Sequence, residues 1–319
     1  MIALFLKRCL WVLLPVIGLL WGINRTADTG FRRCRLWEYG VWNDIYAGRI
    51  NADLLIMGAS RAVAQVSPVI LDSVLGTSSY NIGITAWRFR MEYARLKVYL
   101  QHNRKPRTIV EVLDNATLSD RRDLIGYNQF YPYLWDPLIR EAVRGYEGEP
   151  TFLECHVPFL TYARNPIHAA EGCAEYVKSL LNIPETDRVK GYCGQAASWD
   201  GSSDQEIRGR PLHSVELPTD PATLGAFDDF LRYCRTSHIR VILLYTPEYQ
   251  SMIPYYKNRE AIFSLYNAYA STYHIPFLDY SWDTLGRSQR YYYNAQHLNK
   301  TGAEIFSRQL ADTLKYLVP

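Results

Sequence analysis

The hydrophobic pattern divides the chain into stretches of very different period. At the N-terminus, "MIALFLKRCLWVLLPVIGLLWGINRT" is apolar all round, with an uninterrupted run from Cys9 to Ile23 behind Lys7 and Arg8. A spanning helix needs about 20 apolar residues. The segment reaches that length when Met1–Leu6 are counted and Lys7 and Arg8 snorkel. Basic residues ahead of such a run keep that end cytoplasmic and export the rest of the chain. The competing reading is a cleaved signal peptide, but "WGINRTADTG" offers no clear small-residue cleavage site. The expectation is an uncleaved membrane anchor over 1–26, a linker over 27–50, and a body over 51–319 facing the periplasm or the cell exterior.

In the body the period changes. "ADLLIMGAS" is a continuous apolar run ending in small residues, as suits a strand buried on both faces of a parallel sheet. "SPVILDSVLG" reads as a helix, with Ser67 to cap it, Pro68 in its first turn and Gly76 to end it. "SSYNIG" reads as a strand, "TAWRFRMEYARLKVYLQHN" has helical spacing, and "RKPRTIVEVLDN" turns into another buried strand. The alternation resumes with a helix in "PATLGAFDDFLRYCRTSH", a strand in "IRVILLYTPEY" and a helix in "PYYKNREAIFSLYNAYASTYH". A strand in "IPFLDYS" and a closing helix in "NKTGAEIFSRQLADTLKYL" complete it, the latter capped by Asn299 or Thr301. Strand and helix in alternation predict an α/β fold, a doubly wound parallel sheet in three α/β/α layers. Residues 121–221 break the rhythm with Tyr, Trp, Pro and Gly, and read as a helical and loop insertion over the carboxyl edge of the sheet. Such folds bind ligands at that edge; a helical appendage without a ligand is the alternative.

Composition changes this picture little. At 319 residues, with 48% hydrophobic and 21% charged positions, the chain has ample material for a core. A net charge of +3 gives no support for nucleic-acid binding, which needs a concentrated basic face. The 25 tyrosines read mainly as packing. Of six cysteines, Cys9 lies in the apolar segment, and Cys155, Cys173 and Cys193 fall in one region where an oxidising compartment would permit a disulfide. No C-x-x-C pair, clustered His/Cys spacing or phosphate-loop motif is present, so neither a metal nor a nucleotide cofactor is implied.

Candidate chemistry lies at the strand ends. Ser60 comes after the first buried strand, where α/β folds expose reactive groups, and its own backbone N–H is placed to stabilise an oxyanion; a turn-forming serine is the plain alternative. Gly83, in "YNIG", offers a bare backbone N–H after the second strand. His297 precedes the last helix in "YYYNAQHLNKTGAEIF". Glu248, after the strand "LLYTPEY", reads as a group for a substrate hydroxyl, as a partner of Arg61, or as a solvated glutamate on a proline turn.

"ADLLIMGASRA", "YNIG" and "NAQHLNKTGAEIF" together resemble the first, second and last conserved blocks of the SGNH (GDSL-type) hydrolase superfamily. The likeness is greatest to its membrane-anchored, extracytoplasmic branch, with G-x-S-R near the start and H-L-N-x-x-G-A near the end. It covers about residues 52–118 and 239–317. The resemblance implies a flavodoxin-like strand order, Ser60 as nucleophile, His297 as base, and an oxyanion hole from the Ser60 and Gly83 backbone. Two departures matter. The family's G-x-N-D block is absent from "VEVLDNATL", where Asn115 is the nearest counterpart. The aspartate expected three residues before the histidine is Asn294, which carries no charge to support it; Asp279 and Asp283 are alternative carboxylates for that role.

The resulting reading is a membrane-anchored SGNH-like esterase or acyltransferase. It would act through Ser60 on O-acyl groups of an extracytoplasmic glycan or another small ester, among partner proteins of a polysaccharide pathway, with Arg61 and Glu248 touching substrate. Asn294 and the missing block favour a second reading, a catalytically degenerate glycan-binding or assembly protein. A third is a membrane-tethered scaffold whose aromatic insertion contacts protein.

Overall fold

The computed structural model describes residues 2–157, 159–183 and 185–318, so Met1 of the expected anchor lies outside the described residues. The chain forms two compact units, Met1–Asn43 with Arg122–Thr186, and Asp44–Arg121 with Asp187–Pro319. The segment read as one insertion therefore divides, its first part joining the N-terminal residues and its last part, from Asp187, joining the sheet.

In the first unit one helix, Ile2–Phe31, is long and apolar enough to cross a membrane, with a mean hydropathy of 1.4 from Lys7 to Phe31. Most of its described large apolar side chains through Trp21 are exposed, Trp11 at 71%. At 1.5 Å per residue the helix is about 45 Å long, longer than the roughly 30 Å hydrocarbon core. Its last turns do something else. Ala27 and Phe31 are buried against the helix Ile167–Leu180, and a Cβ on Gly30 would lie 1.8 Å from the Gly172 carbonyl oxygen. Only paired glycines permit so close a crossing. Residues 27–50, read from sequence as a linker, thus carry the end of this helix and a second one, Trp37–Tyr46. There the buried Trp42 donates its indole N–H to Gln129 Oε1 at 3.0 Å.

The second unit holds the sheet. Its strands are β1 (Leu54–Gly58), β2 (Ser79–Asn81), β3 (Thr108–Leu113), β4 (Arg240–Tyr245) and β5 (Phe277–Asp279). All pair in parallel in the order β2-β1-β3-β4-β5, the flavodoxin-like order. The helices that flank the sheet are α1 (Ser60–Gln65), α2 (Pro68–Leu75), α3 (Phe89–His102), α4 (Pro221–Thr236), α5 (Arg259–Tyr273) and α6 (Lys300–Leu314). Helices α1 and α2 pack with α6, while α4 packs with α3 and α5, which gives the three layers. Strand alternation serves both. Leu54, Ile56, Val110, Val112, Ile242 and Leu244 meet Leu71, Phe306 and Leu310 in one core. In the other helical layer, Phe89 of α3 meets Phe227 of α4 edge to face at 4.6 Å.

Some sequence expectations shift locally. Ser67 stands at the cap of α2, but its side chain makes no capping bond, and its own N–H donates to Ser307 Oγ at 2.9 Å. The helix expected from Pro254 starts at Arg259, after a tight turn over Gln250–Tyr255. Asn299, not Thr301, caps α6, accepting from the Gly302 N–H at 3.0 Å. All six cysteines are free thiols.

The layer beyond β3 contains a charge anomaly. Glu111, fully buried in β3, faces Glu92 of α3, which is 3% exposed. Burial first, then their mutual repulsion, pushes Glu92 well above the usual carboxylate range, and burial lifts Glu111 to about 8. The folded state therefore holds protons that the unfolded chain releases near pH 4.5, so stability falls as pH rises from about 4.5 through 8. Glu111→Gln is expected to be roughly neutral at pH 5. At pH 8 it should stabilise by on the order of 1–3 kcal/mol, measured by denaturant unfolding in detergent at both pH values.

Candidate active site

Ser60 owes its place to Gly58. That residue ends β1 at φ +130°, a conformation side chains rarely adopt, and a Cβ there would lie 2.5 Å from the Val112 carbonyl oxygen. The chain turns sharply through Ala59, and Ser60 opens α1 at the carboxyl edge of the sheet, beside the switch between β1 and β3. Next to it Arg61 is buried. Its Nη2 donates to the carbonyls of Thr246 at 3.1 Å and Pro247 at 2.8 Å, and its guanidinium lies 4.6 Å over the Tyr245 ring. Arg61 thus ties α1 to the end of β4, although it also lines the cleft.

His297 sits in a short antiparallel hairpin, β6 (Tyr292–Asn294) and β7 (His297–Leu298), directly before α6. Gln65 of α1 holds this hairpin by donating to the Gln296 carbonyl at 3.0 Å. Across the gap, Ser60 Oγ and His297 Nε2 are 2.7 Å apart. On the other side of the ring, Nδ1 is 2.9 Å from Asn294 Oδ1.

The backbone fixes the proton positions. Asn294 Oδ1 also accepts the N–H groups of Gln296 and His297, each at 3.0 Å. Backbone N–H groups only donate, so the amide atom facing them is the oxygen, and Nδ1 must carry the imidazole proton. Nε2 is left with its lone pair toward Ser60. Tyr293 stacks on the ring at 5.3 Å and 8°. Burial, and then the charge of Arg61, push His297 down to about 4, so the imidazole is neutral and able to accept a proton over nearly the whole practical pH range.

The alternative carboxylates are engaged elsewhere. Asp279 accepts from the Ser281 N–H, and Asp283 from the Leu285 N–H and Gln309. Gly83 departs from expectation as well. Its N–H donates to Asn81 Oδ1 at 2.9 Å and its carbonyl accepts from Arg95, while Asn81 in turn braces the Ala62 and Val66 carbonyls. "YNIG" is a brace between β2 and α1. Thr85 and Ala86, just beyond it, line the cleft instead, Ala86 at φ +66°.

Asn115 and Glu248 do reach the cleft, bonded to each other, with Nδ2 of Asn115 donating to Glu248 Oε1 at 2.9 Å. Glu248 is 4% exposed, and its Oε2 accepts from Tyr245 at 3.2 Å and pairs with Arg259 at 3.4 Å. It is not a solvated turn residue, and among the described residues its ion pair is with Arg259, while its charge also acts on Arg61. Arg259 takes that place because α5 passes the end of β4.

The cleft over Ser60 and His297 has a volume of about 440 Å³. Arg88, Arg121, Arg210 and Asp114 also line it, and the sequence reading missed all four. The available signal was topological: Arg88 comes after β2 and Arg121 after β3, both at the carboxyl edge where such sheets bind ligands.

No protein-family model and no curated protein matches the chain. Several solved structures are similar to it. A protein described as an acylhydrolase from Bacteroides fragilis is 13% identical over 82% of this chain and 87% of its own, with a TM-score of 0.37. One described as a lipolytic protein of the G-D-S-L family, from Desulfitobacterium hafniense, is 12% identical over 83% of this chain and 100% of its own, with a TM-score of 0.41. One described as a platelet activating factor, from Streptococcus pneumonia, is 13% identical over 95% and 98%, with a TM-score of 0.41.

Proposed function

We propose that the protein is a membrane-anchored serine acyl-transfer enzyme that takes O-acyl groups from a glycan ester and passes them to water or to a second hydroxyl. The observation that carries this reading is the chain Ser60–His297–Asn294, in which the histidine lone pair faces the serine hydroxyl and the tautomer is held from behind. Ser60 Oγ attacks the acyl carbon as its proton passes to His297 Nε2. The same nitrogen returns the proton to the departing alcohol, which leaves acyl-Ser60. A water or an acceptor hydroxyl then gives its proton to Nε2 and takes the acyl group, and Nε2 returns that proton to the departing Ser60 Oγ. The Ser60 backbone N–H is the nearest oxyanion donor in this scheme, since Gly83 N–H is engaged. The apolar helix, with Lys7 and Arg8 on its cytoplasmic side, would hold the site outside the cytoplasm.

A second reading, a glycan-binding protein that no longer turns over ester, is favoured by the uncharged Asn294 and the engaged Gly83. The two separate by incubating the full chain in detergent with an acetylated polysaccharide and monitoring free acetate, with and without a saccharide acceptor. Acetate release well above the uncatalysed rate, or its diversion onto the acceptor, is expected. Intact ester on a folded, glycan-binding protein would favour the second reading.

A further inference from the structure

We propose that the short helix Phe152–His156 and Val157 after it lie on the bilayer, so that a lipid surface covers a second patch of the chain beside the apolar helix. This goes beyond the acyl-transfer chemistry and rests on the proposed function only for the membrane anchor. Every residue it uses belongs to the first unit. On the helix Ile2–Phe31 the uninterrupted apolar run ends at Ile23. Lys7 and Arg25 bracket that run about 27 Å apart along the axis, close to the thickness of a hydrocarbon core. Asn24, Arg25 and Asp28 thus stand at headgroup level. Hydrogen bonds hold the chain after the short helix at the same level. Asn24 Oδ1 accepts the Phe159 N–H at 2.7 Å, and Asp28 Oδ1 accepts the Tyr162 hydroxyl at 2.6 Å. Cys155, His156 and Val157 line one cleft with Asn24 and Arg25.

The short helix presents apolar side chains there: Phe152 is 74% exposed, and Leu153 and Val157 are exposed with it. Its acidic residue, Glu154, is bound by Arg164 Nη2 at 2.8 Å and accepts the Thr151 N–H at 2.7 Å, so no bare carboxylate has to leave water. The helix Ile167–Leu180 gives the height of the patch. It runs parallel to the end of the apolar helix, with Gly172 against Ala27, Tyr176 against Gly30, and Ser179 bonded to Arg33. Ile167, at the start of this helix, is therefore about 7.5 Å nearer the bilayer than Gly172. Leu181, just past the other end, lies roughly 20 Å farther out. The two are equally bare, 62% and 65% exposed, but only Ile167 is within reach of lipid. Continuity decides the occupant. The exposed apolar face of the anchor helix, Leu10 to Trp21, leads into the patch, and Trp135 lines the same cleft as Arg25, a placement that suits an interfacial aromatic.

The test reconstitutes the full chain in phosphatidylcholine vesicles that carry a phospholipid with a diazirine near the glycerol end of its acyl chain. After irradiation the lipid adducts are mapped by peptide mass. Adducts are expected on the apolar helix and on the peptide that holds Phe152 and Val157, the latter at least about fivefold denser than on the peptide that holds Leu181. Phe152→Ser, Leu153→Ser and Val157→Ser together should lower the adducts on that peptide by about tenfold and leave those on the apolar helix unchanged. Adducts on the apolar helix alone, equal labelling around Leu181, or a triple variant labelled like the wild type overturns the proposal. So does a segment 152–157 that is protected from amide exchange without a lipid adduct, the pattern of a second copy of the chain on this patch. An apolar helix without adducts is a separate failure, which removes the anchor from the proposed function and this patch with it. Adducts on that helix alone leave the anchor standing.

Discussion

In Ser60→Ala, ester turnover is expected to fall by at least about three orders of magnitude, with the fold unchanged. Removing the nucleophile of a serine–histidine pair removes the covalent route, and only oriented binding and oxyanion donors are left to act. The substitution is clean because Ser60 has no structural duty. Ala59, not Ser60, occupies the cap of α1, and among the described residues the Ser60 hydroxyl bonds only His297. Loss of that hydroxyl should therefore change stability by less than about 1 kcal/mol. Turnover retained near the wild-type level would take Ser60 out of the mechanism. A collapse in stability would mean that the serine is a structural residue.

Asn294→Asp is expected to raise turnover at neutral pH by roughly 10–100-fold. An aspartate can accept the same Gln296 and His297 N–H groups and the same Nδ1 proton, and it adds a full negative charge behind the imidazolium formed during attack. An opposite charge at this range raises a histidine by about 1–3 pH units. The neutral imidazole is the working form, so activity is present above its pKa and is lost as pH falls through it. The acid limb of kcat/KM should lie near pH 4 in the wild type and move up by about 1–3 units in the variant. In a serine protease the reverse change, aspartate to asparagine, costs about 10⁴ through the wrong tautomer. Here the backbone already imposes the right one, which is why the expected gain is smaller. A clear fall in a folded Asn294→Asp variant would show that the uncharged amide is itself required.

The parts legible in the sequence are those where one local pattern has one structural outcome. "LLIMG" and "VILLY" are continuous apolar runs, and "TIVEVL" is interrupted inside only by Glu111, because both faces of their strands are covered, and they order themselves into a doubly wound sheet. Ser60 and His297 were legible from position, one after the first strand and one before the last helix. The hairpin that carries His297 was not, because strands of two and three residues leave no period to read.

Side-chain partnerships were the least visible. Whether the Gly83 N–H faces a cleft or a neighbour depends on the Asn81 amide turning inward. Whether Glu248 is solvated depends on Arg259, a helix away, and on Asn115, 133 positions back. The helix that runs on from the apolar segment to Phe31 is explained only by Gly172, which lets the two backbones touch. The cleft arginines come from three separated segments and carry no shared motif.

The measurement that bears most directly on the Ser60–His297 pair is fluorophosphonate labelling of the full chain in detergent, read by intact mass. A fluorophosphonate reports an activated serine whatever the natural acyl group is. The result expected is one adduct per wild-type chain, absent in Ser60→Ala and strongly slowed in His297→Ala. No adduct on the folded wild type, or an adduct of equal extent on Ser60→Ala, would contradict an activated serine at this site.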